Sequence, residues 1–506
     1  MIKQVTLLCG VTTGAIFKPD QDVKTAVSEI LSYHVTGFEQ TYAFKSGTWD
    51  GTSTFFKWST STFPAGFLAF VAARLKQLGY EVKIVRKPLP APLGPERPKV
   101  SDYPDDPRYE YQYETVNRLV KYGGMVAMVS TGGGKTRICE LAFSRIKRPT
   151  LFITTRQILM YQMKKNIEKD IGVPVGVIGD QEFGVNGDPT KLGMFNVAMV
   201  QTIAARLKGA SKKDTAIIAR QKEAEKKQML SILEKMEFIV LEEAHESSGN
   251  QYYEICNLCK NAAYRLALTA TPFMKDDEEA NMRLMAVSGP VGIHIAEKQL
   301  IESGILAKPY FKIIQLQEKP KYLRKSTPWQ QAYRLAIVEN EERNQQIVSE
   351  ALKAKHHGLS VMCLVLHKDH GKMLKTLMED VGLRVEFIFG ESNQKTRQAN
   401  LNKLKNNEIN VLIGSTILDV GVDVPAVGMV ILAGAGKAEV SLRQRIGRGL
   451  RAKKQGPNVC FVVDFDDPWS RHTMTHALMR RNVILNTPGF AEGVVDELPW
   501  ELFPEV

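Results

Sequence analysis

The chain has 506 residues, 44% hydrophobic and 24% charged, with a formal net charge of +12. That length exceeds one ordinary core and implies two or three domains, while no apolar run approaches the ~20 residues that span a bilayer. The positive excess favours a polyanionic partner through counterion release, although it also serves solubility, so it excludes little by itself.

In chain order, Met1 to Thr6 lack an apolar core with a small-residue cleavage site, so no signal peptide is expected. Strand-like stretches at Gln4–Leu8 and Ser53–Trp58, a helical stretch at Gly66–Leu78 and the strand Glu81–Val85 outline a small α/β module over residues 1–86. A module of that size folds alone only marginally. Trp49, Phe55, Phe56 and Trp58 either pack its core or face a ligand; Lys45, Lys57 and Arg74 are the candidate phosphate-backbone contacts.

Residues 87–107 hold Pro88, Pro90, Pro92, Pro95, Pro98, Pro104 and Pro107. Proline lacks an amide donor and restricts its predecessor, so the segment reads as a stiff, extended linker. Beyond it, over residues 108–308, short apolar runs at Met125–Val129, Thr150–Thr154, Val197–Val200, Phe238–Leu241 and Arg265–Leu268 alternate with helical stretches. The rhythm restarts over residues 309–470 with Ser360–Leu366, Val385–Phe389, Val411–Gly414, Met429–Leu432 and Val459–Asp464. Continuous apolar runs between turn signals fit parallel strands buried on both faces, hence two successive α/β lobes. Residues 471–506 read as a helical tail. Between Thr202 and Phe238 lies a long polar helix, with Lys212, Lys213, Arg220, Lys222, Lys226 and Lys227 interleaved by Glu223, Glu225 and Glu234. It is either a mixed-charge exposed face or a basic arm on a phosphate backbone.

Six cysteines are scattered through the chain. Cys256 and Cys259 are close together without a second pair at zinc spacing. They read as two reduced thiols on a helix, with a metal or redox pair as the alternative. The cytosol is the expected compartment.

The sharpest local signal is Ser130-Thr131-Gly132-Gly133-Gly134-Lys135-Thr136, directly after an apolar strand and before a helix starting near Arg137. Glycines let successive backbone N–H groups curl around phosphate oxygens, and the helix N-terminus adds partial positive charge. Lys135 then reaches the terminal phosphates of ATP and the Thr136 hydroxyl ligates Mg²⁺. Val129 stands where the usual pattern has its first glycine. The second signal is Glu242-Glu243-Ala244-His245, at the carboxyl end of an expected strand, where open parallel sheets bind ligands. There Glu242 would hold the metal and Glu243 would accept a proton from the attacking water. The third is Gln444-Arg445-Ile446-Gly447-Arg448-Gly449-Leu450-Arg451 in the second lobe. Its arginines, three apart along one helical face, suit phosphoryl oxygens.

Together these stretches resemble the superfamily 2 helicases, and the resemblance runs from about Tyr109 to Val463. It implies two tandem RecA-like parallel-sheet lobes. Tyr111-Gln112 is similar to the adenine-reading glutamine motif. Thr155 and Arg156, after Thr154, and Gln201-Thr202, after Val200, resemble strand-contacting motifs of the first lobe. Thr269-Ala270-Thr271 resembles the motif coupling hydrolysis to lobe movement. Ser415-Thr416 and Gly421-Val422-Asp423 resemble the motif joining nucleic acid to nucleotide, Asp423 contacting the ribose. Gln444 belongs to the catalytic set, and Arg448 and Arg451 would be the arginine fingers. Residues 44–51 and 63–66 resemble the leading domain of phage UvsW-type helicases, itself similar to a double-stranded-RNA-binding fold. That resemblance implies a DNA-dependent ATPase, functional as a monomer, that unwinds and branch-migrates recombination or fork intermediates. It would contact duplex or branched DNA through its backbone, in the host cytoplasm if phage-encoded. Two departures stand out: Glu242 where most members have Asp, and the length of the charged insertion. An RNA remodeller of the same superfamily, the motor of a restriction system (with no nuclease motif found here) and a scaffold with a vestigial site are the alternatives.

Overall fold

The structure is a computed structural model that describes residues 3–100, 105–211, 214–242, 250–271, 277–324, 326–389, 394–414, 426–436, 446–447, 449–453 and 456–505. By contacts the chain divides into two units: residues 1–129 with 134–294, and residues 295–506 with 130–133.

The first unit opens with β1 (Gln4–Cys9), β2 (Thr13–Phe17), β3 (Ser32–His34), β4 (Thr52–Thr54), β5 (Thr62–Pro64) and β6 (Glu81–Arg86). The order β5-β2-β1-β6 forms one small sheet in which β1 and β6 run parallel, and β3 pairs with β4 separately. Helices Gln21–Ile30 and Leu68–Gln77 cover it through Val23, Val27, Val71 and Leu75, all buried. Phe56 joins this core and Phe55 packs against it, whereas Trp58 stays exposed. The Trp49 indole donates to the Thr52 carbonyl at 2.7 Å.

This leading core does not close on itself. Met282 and Ala286, from the helix Glu278–Ser288 of the following lobe, belong to the same cluster. The Thr36 hydroxyl donates to Asp277 at 2.9 Å, and the His34 amide to Glu278 at 3.0 Å. A module too small to bury enough surface alone thus borrows part of its neighbour's.

The proline-rich segment is a strap rather than a free spacer. Prolines deny it helix and sheet, so its carbonyls are left for side-chain donors. Arg148 donates to the Ala91 carbonyl at 2.7 Å, Tyr264 to Pro90 at 2.6 Å and Arg137 to Val100 at 2.7 Å. Gly94 exchanges hydrogen bonds with Arg145, and a Cβ at Gly94 would lie 1.9 Å from the Ser144 carbonyl oxygen. Only glycine lets the strap lie that close. Arg97 lies 4.0 Å over the Tyr113 ring and pairs with Glu110 and Asp105.

The strap leads to β7 (Gly124–Val129), β8 (Thr150–Thr154), β9 (Val175–Gly179), β10 (Glu182–Val185), β11 (Phe195–Met199), β12 (Phe238–Glu242), β13 (Tyr264–Thr269) and β14 (Val291–Ile295). They form one sheet in the order β10-β9-β11-β8-β12-β13-β7-β14. β7, β8, β9, β11, β12 and β13 are linked by parallel pairings, and β10 returns antiparallel to β9. Every residue of β8, β12 and β13 is buried, which fits their largely apolar sequence without polar alternation. The charged insertion resolves into a helix Ala216–Lys235 whose Met229, Ile232 and Leu233 enter the lobe core, while its first half, with Ile217, is exposed. Lys222 is paired with Asp214 at 2.7 Å.

The second unit contains β15 (Lys308–Ile314), β16 (Val361–Leu364), β17 (Val385–Ile388), β18 (Val411–Gly414), β19 (Met429–Ile431), β20 (Val459–Phe465) and β21 (Val494–Val495). Their order is β17-β18-β16-β19-β20-β15-β21, all pairings being parallel. The tail is more than helical. After the helix Arg471–Leu485 it adds β21 to the sheet edge and sinks Leu498 and Phe503 into the lobe core, with Trp500 packed against it.

An ionic network braces this lobe. Arg343 and Asp467 are both fully buried with Nε 2.8 Å from the carboxylate, and Arg480 spans Asp467 and Asp464 at 3.0 Å each. Arg343 also donates to the Ala433 carbonyl at 2.5 Å and lies over the Phe465 ring. Removing Asp467 would strand the buried Arg343 guanidinium and leave Arg480 with Asp464 as its remaining carboxylate, so Asp467→Ala should cost about 3–5 kcal/mol. A thermal midpoint matching the parent's would contradict this accounting.

Candidate nucleotide site and nucleic-acid interface

At the carboxyl end of β7 the chain leaves the sheet through the glycine loop and enters the helix Lys135–Ile146. Gly132 and Gly134 adopt φ +86° and +80°, the left-handed region that glycine enters without strain. The Gly133 amide donates to the Ser130 carbonyl at 3.0 Å, closing the turn. The helix therefore starts two residues earlier than expected, with Lys135 as its first residue and Gly134 as its cap. Thr131, Gly132, Gly133 and Thr136 line this turn and first helical step. Lys135 Nζ rests 3.4 Å from the Val129 carbonyl, and that valine, at the position of the missing glycine, is fully buried in the strand.

Gln112 and the glycine loop adjoin. Gln112 is buried on the helix Glu110–Tyr122, and a Cβ on Gly134 would meet its Nε2 at 2.4 Å. Tyr111 beside it is buried too, which pushes its phenol well above the ordinary value.

Glu242 is the last residue of β12, buried, opposite Leu268 of the neighbouring β13. Glu242 thus ends its strand at the same sheet edge from which the glycine loop departs, and its charge helps burial hold the Cys139 thiol up. Thr269 ends β13, and its hydroxyl accepts from the Thr271 amide at 3.2 Å.

Two strand-contacting candidates meet directly. Thr155 and Arg156 follow β8, Gln201 and Thr202 follow β11, and β8 and β11 are parallel neighbours with Met199 opposite Thr154. The Gln201 side-chain Nε2 donates to the Thr155 carbonyl at 3.3 Å. The Arg156 amide is held by the Thr154 hydroxyl at 3.2 Å.

Glu243, Ser415, Thr416, Asp423, Gln444 and Arg448 lie outside the described residues. Arg451 is described: its backbone bridges to Leu306 and its side chain is exposed. Lys45 and Lys57 are exposed on the leading module, and Arg74 is hydrogen bonded to Gln77 at 3.0 Å. Cys256 and Cys259 are buried free thiols. Burial pushes Cys256 up to about 11 and Cys259 higher still, which disfavours the thiolate. Arg265 donates to both of their carbonyls at 3.0 Å. Among the described residues no group of His, Cys, Asp and Glu suited to a metal ion occurs. No helix of the described residues is long and apolar enough to cross a membrane.

Sequence reasoning passed over Glu140, one turn into the helix behind the glycine loop. Burial, with a smaller contribution from Asp170, pushes its carboxyl up to about 7, against 4.5 for the ordinary group. A folded-state value above the unfolded one means stability is full below 4.5 and is lost as pH rises through about 7. Glu140→Gln should therefore gain melting temperature over the parent at about pH 8 relative to about pH 4.5. A pH-independent difference would contradict the assignment.

Comparison with known proteins follows this geometry. Residues 107–274 match the family of the type III restriction enzyme res subunit, and residues 342–453 match the helicase conserved C-terminal domain. The DNA 3'-5' translocase XPB2 of Sulfurisphaera tokodaii is 24% identical over 462 residues, covering 84% of this chain and 95% of that protein. The ATP-dependent DNA helicase uvsW of Enterobacteria phage T4 is 22% identical over 282 residues, 54% of this chain and 55% of the relative. The chain spans about half the length of two other curated relatives it matches, 45% and 47%. The crystal structure of the helicase MrfA bound to DNA shares the fold, with a TM-score of 0.53 at 15% identity over 77% of this chain and 56% of that one. A glycine loop opening one RecA-like parallel-sheet lobe, and a second such lobe matching the helicase C-terminal domain, make the chain a superfamily 2 helicase that resembles the UvsW type.

Proposed function

We propose that the chain is an ATP-dependent DNA translocase that unwinds and branch-migrates junctions and forks, acting on the DNA backbone and functional as a monomer. The observation that carries it is the shared sheet edge in the first unit. The glycine loop, Glu242 and the Gln201–Thr155 pair all stand at the carboxyl ends of parallel strands, where an open sheet binds its ligands. The fit to a triphosphate rests on the left-handed Gly132 and Gly134, backbone conformations of the kind an anion-cradling turn uses, and on Gln112 packed behind Gly134.

In this reading Lys135 takes the terminal phosphates and Gln112 with Tyr111 takes the adenine. Thr136 and Glu242 would hold Mg²⁺, which supplies neutralisation of the phosphate charge when bound. Glu243 orients and deprotonates the attacking water, and Gln444, Arg448 and Arg451 stabilise charge on the transferring group. Asp423 contacts the ribose. Thr155, Arg156, Gln201, Thr202, Ser415 and Thr416 hold a strand by its phosphates and sugars, without reading sequence.

The names of two relatives, a DNA 3'-5' translocase and an ATP-dependent DNA helicase, support DNA over RNA. Restriction motors offer a second reading, supported by the family matched at residues 107–274 and by the fold shared with an HsdR subunit of Vibrio vulnificus. That reading calls for an attached nuclease or a nuclease partner.

Lys135→Ala should abolish DNA-stimulated ATP hydrolysis while leaving the fold intact, and Glu243→Gln should bind ATP but cleave it about 10²–10⁴-fold more slowly. Parent-like turnover by Lys135→Ala would rule out the assigned loop. ATPase stimulation by four-way junctions, single-stranded DNA and RNA separates the substrates. Stronger stimulation by RNA than by any DNA would overturn the branch-migration reading.

A further inference from the structure

Lobe two carries an aromatic assembly that none of the helicase motifs uses and that lies outside both family matches. Trp329 is the first residue of the short helix Trp329–Tyr333 and is 37% exposed. Three rings meet it edge to face: Tyr333 at 5.5 Å, His472 at 5.5 Å and His476 at 4.8 Å between centroids. His472 and His476 stand one turn apart in the first half of the helix Arg471–Leu485. Rings from two elements brace the indole, yet more than a third of the residue remains open to solvent.

Its position in the fold gives this a meaning. The Tyr333 hydroxyl donates to the Gly434 carbonyl at 2.6 Å, and the Tyr333 ring lies 4.8 Å from that of His367. His367 follows β16 and Gly434 follows β19, so the assembly sits over the carboxyl ends of those strands. β18, the parallel neighbour of β16, ends at that same edge with Gly414. A cation adjoins the rings in sequence: the exposed Arg471 precedes His472. A single π-helical turn, Arg334–Val338, follows directly, a distortion that tends to mark functional sites.

An exposed indole braced at a ligand-binding edge, with the exposed Arg471 next in sequence to one of its ring partners, suits the way proteins hold unpaired bases: stacking on the ring, with phosphates neutralised nearby. We propose that Trp329 is a stacking platform for an unpaired base of the single-stranded DNA engaged by the second lobe, with His472, His476 and Tyr333 positioning the ring. This rests on the DNA-translocase reading and adds a contact to it.

The test measures binding of the full chain to a single-stranded oligodeoxythymidylate at several salt concentrations. Trp329→Ala should weaken binding about tenfold or more, and Trp329→Phe should retain most of the affinity. The slope of log affinity against log salt should not change, because stacking releases no counterions. Equal affinity of Trp329→Ala and the parent overturns the proposal. So does an equal loss in Trp329→Phe, or a loss that flattens the salt slope. If the parent itself neither binds the oligonucleotide nor shows DNA-stimulated ATPase activity, the translocase reading falls and takes the platform with it. If the parent does both and Trp329→Ala is unaffected, only the platform falls.

Discussion

Parallel strands covered on both faces have nowhere to place a charge except at their ends. In the first unit β8, β12 and β13 are buried along their whole length, and the polar residues assigned to chemistry begin where the strands stop. Glu242 marks that limit most clearly, a carboxylate on the last residue of a fully buried strand. Burying an ionised carboxylate deeper would cost several kcal/mol without a compensating partner, so the sheet itself collects the candidate residues along one edge. Gln201 and Thr155 meet for the same reason, since their strands are parallel neighbours in register.

The second unit obeys the same rule by a different route. Its charges at the strand ends are joined into a buried network, in which Arg343 and Arg480 share Asp467 and Arg480 also holds Asp464. The network ties the helix Glu341–His356, the end of β20 and the helix Arg471–Leu485 together beneath the edge where the aromatic assembly stands. The tail serves the same lobe, because β21 and Phe503 complete its sheet and core.

Much of this was legible in the sequence, for physical reasons that vary with the element. Continuous apolar runs located most of the central strands to within a residue or two, because burial on both faces removes the polar alternation. The glycine loop was legible because few backbones other than a phosphate cradle need such a run between strand and helix. Short edge strands were not: β21 has two residues, and β10 contains Gly184, too little pattern to register. The course of the strap was hidden because prolines say which structures a segment avoids, not which arginines its carbonyls will find. Trp329 was hidden because its neighbours His472 and His476 lie far along the chain, and a lone aromatic carries no period. The charged insertion was legible as an exposed mixed-charge helix over its first half, while the three apolar residues that anchor its second half were obscured by the charges around them.

The strap has a mechanical consequence. A module joined by slack chain would drift about its neighbour, whereas this one shares a core with the helix Glu278–Ser288 and is laced down at Ala91, Gly94 and Arg97. Leading module and first lobe therefore form a single lever. A duplex gripped at one end of that lever would keep a constant offset from a strand held at Thr155 and Gln201. Each advance of the lobe would then reach the duplex in full, with no play in the coupling.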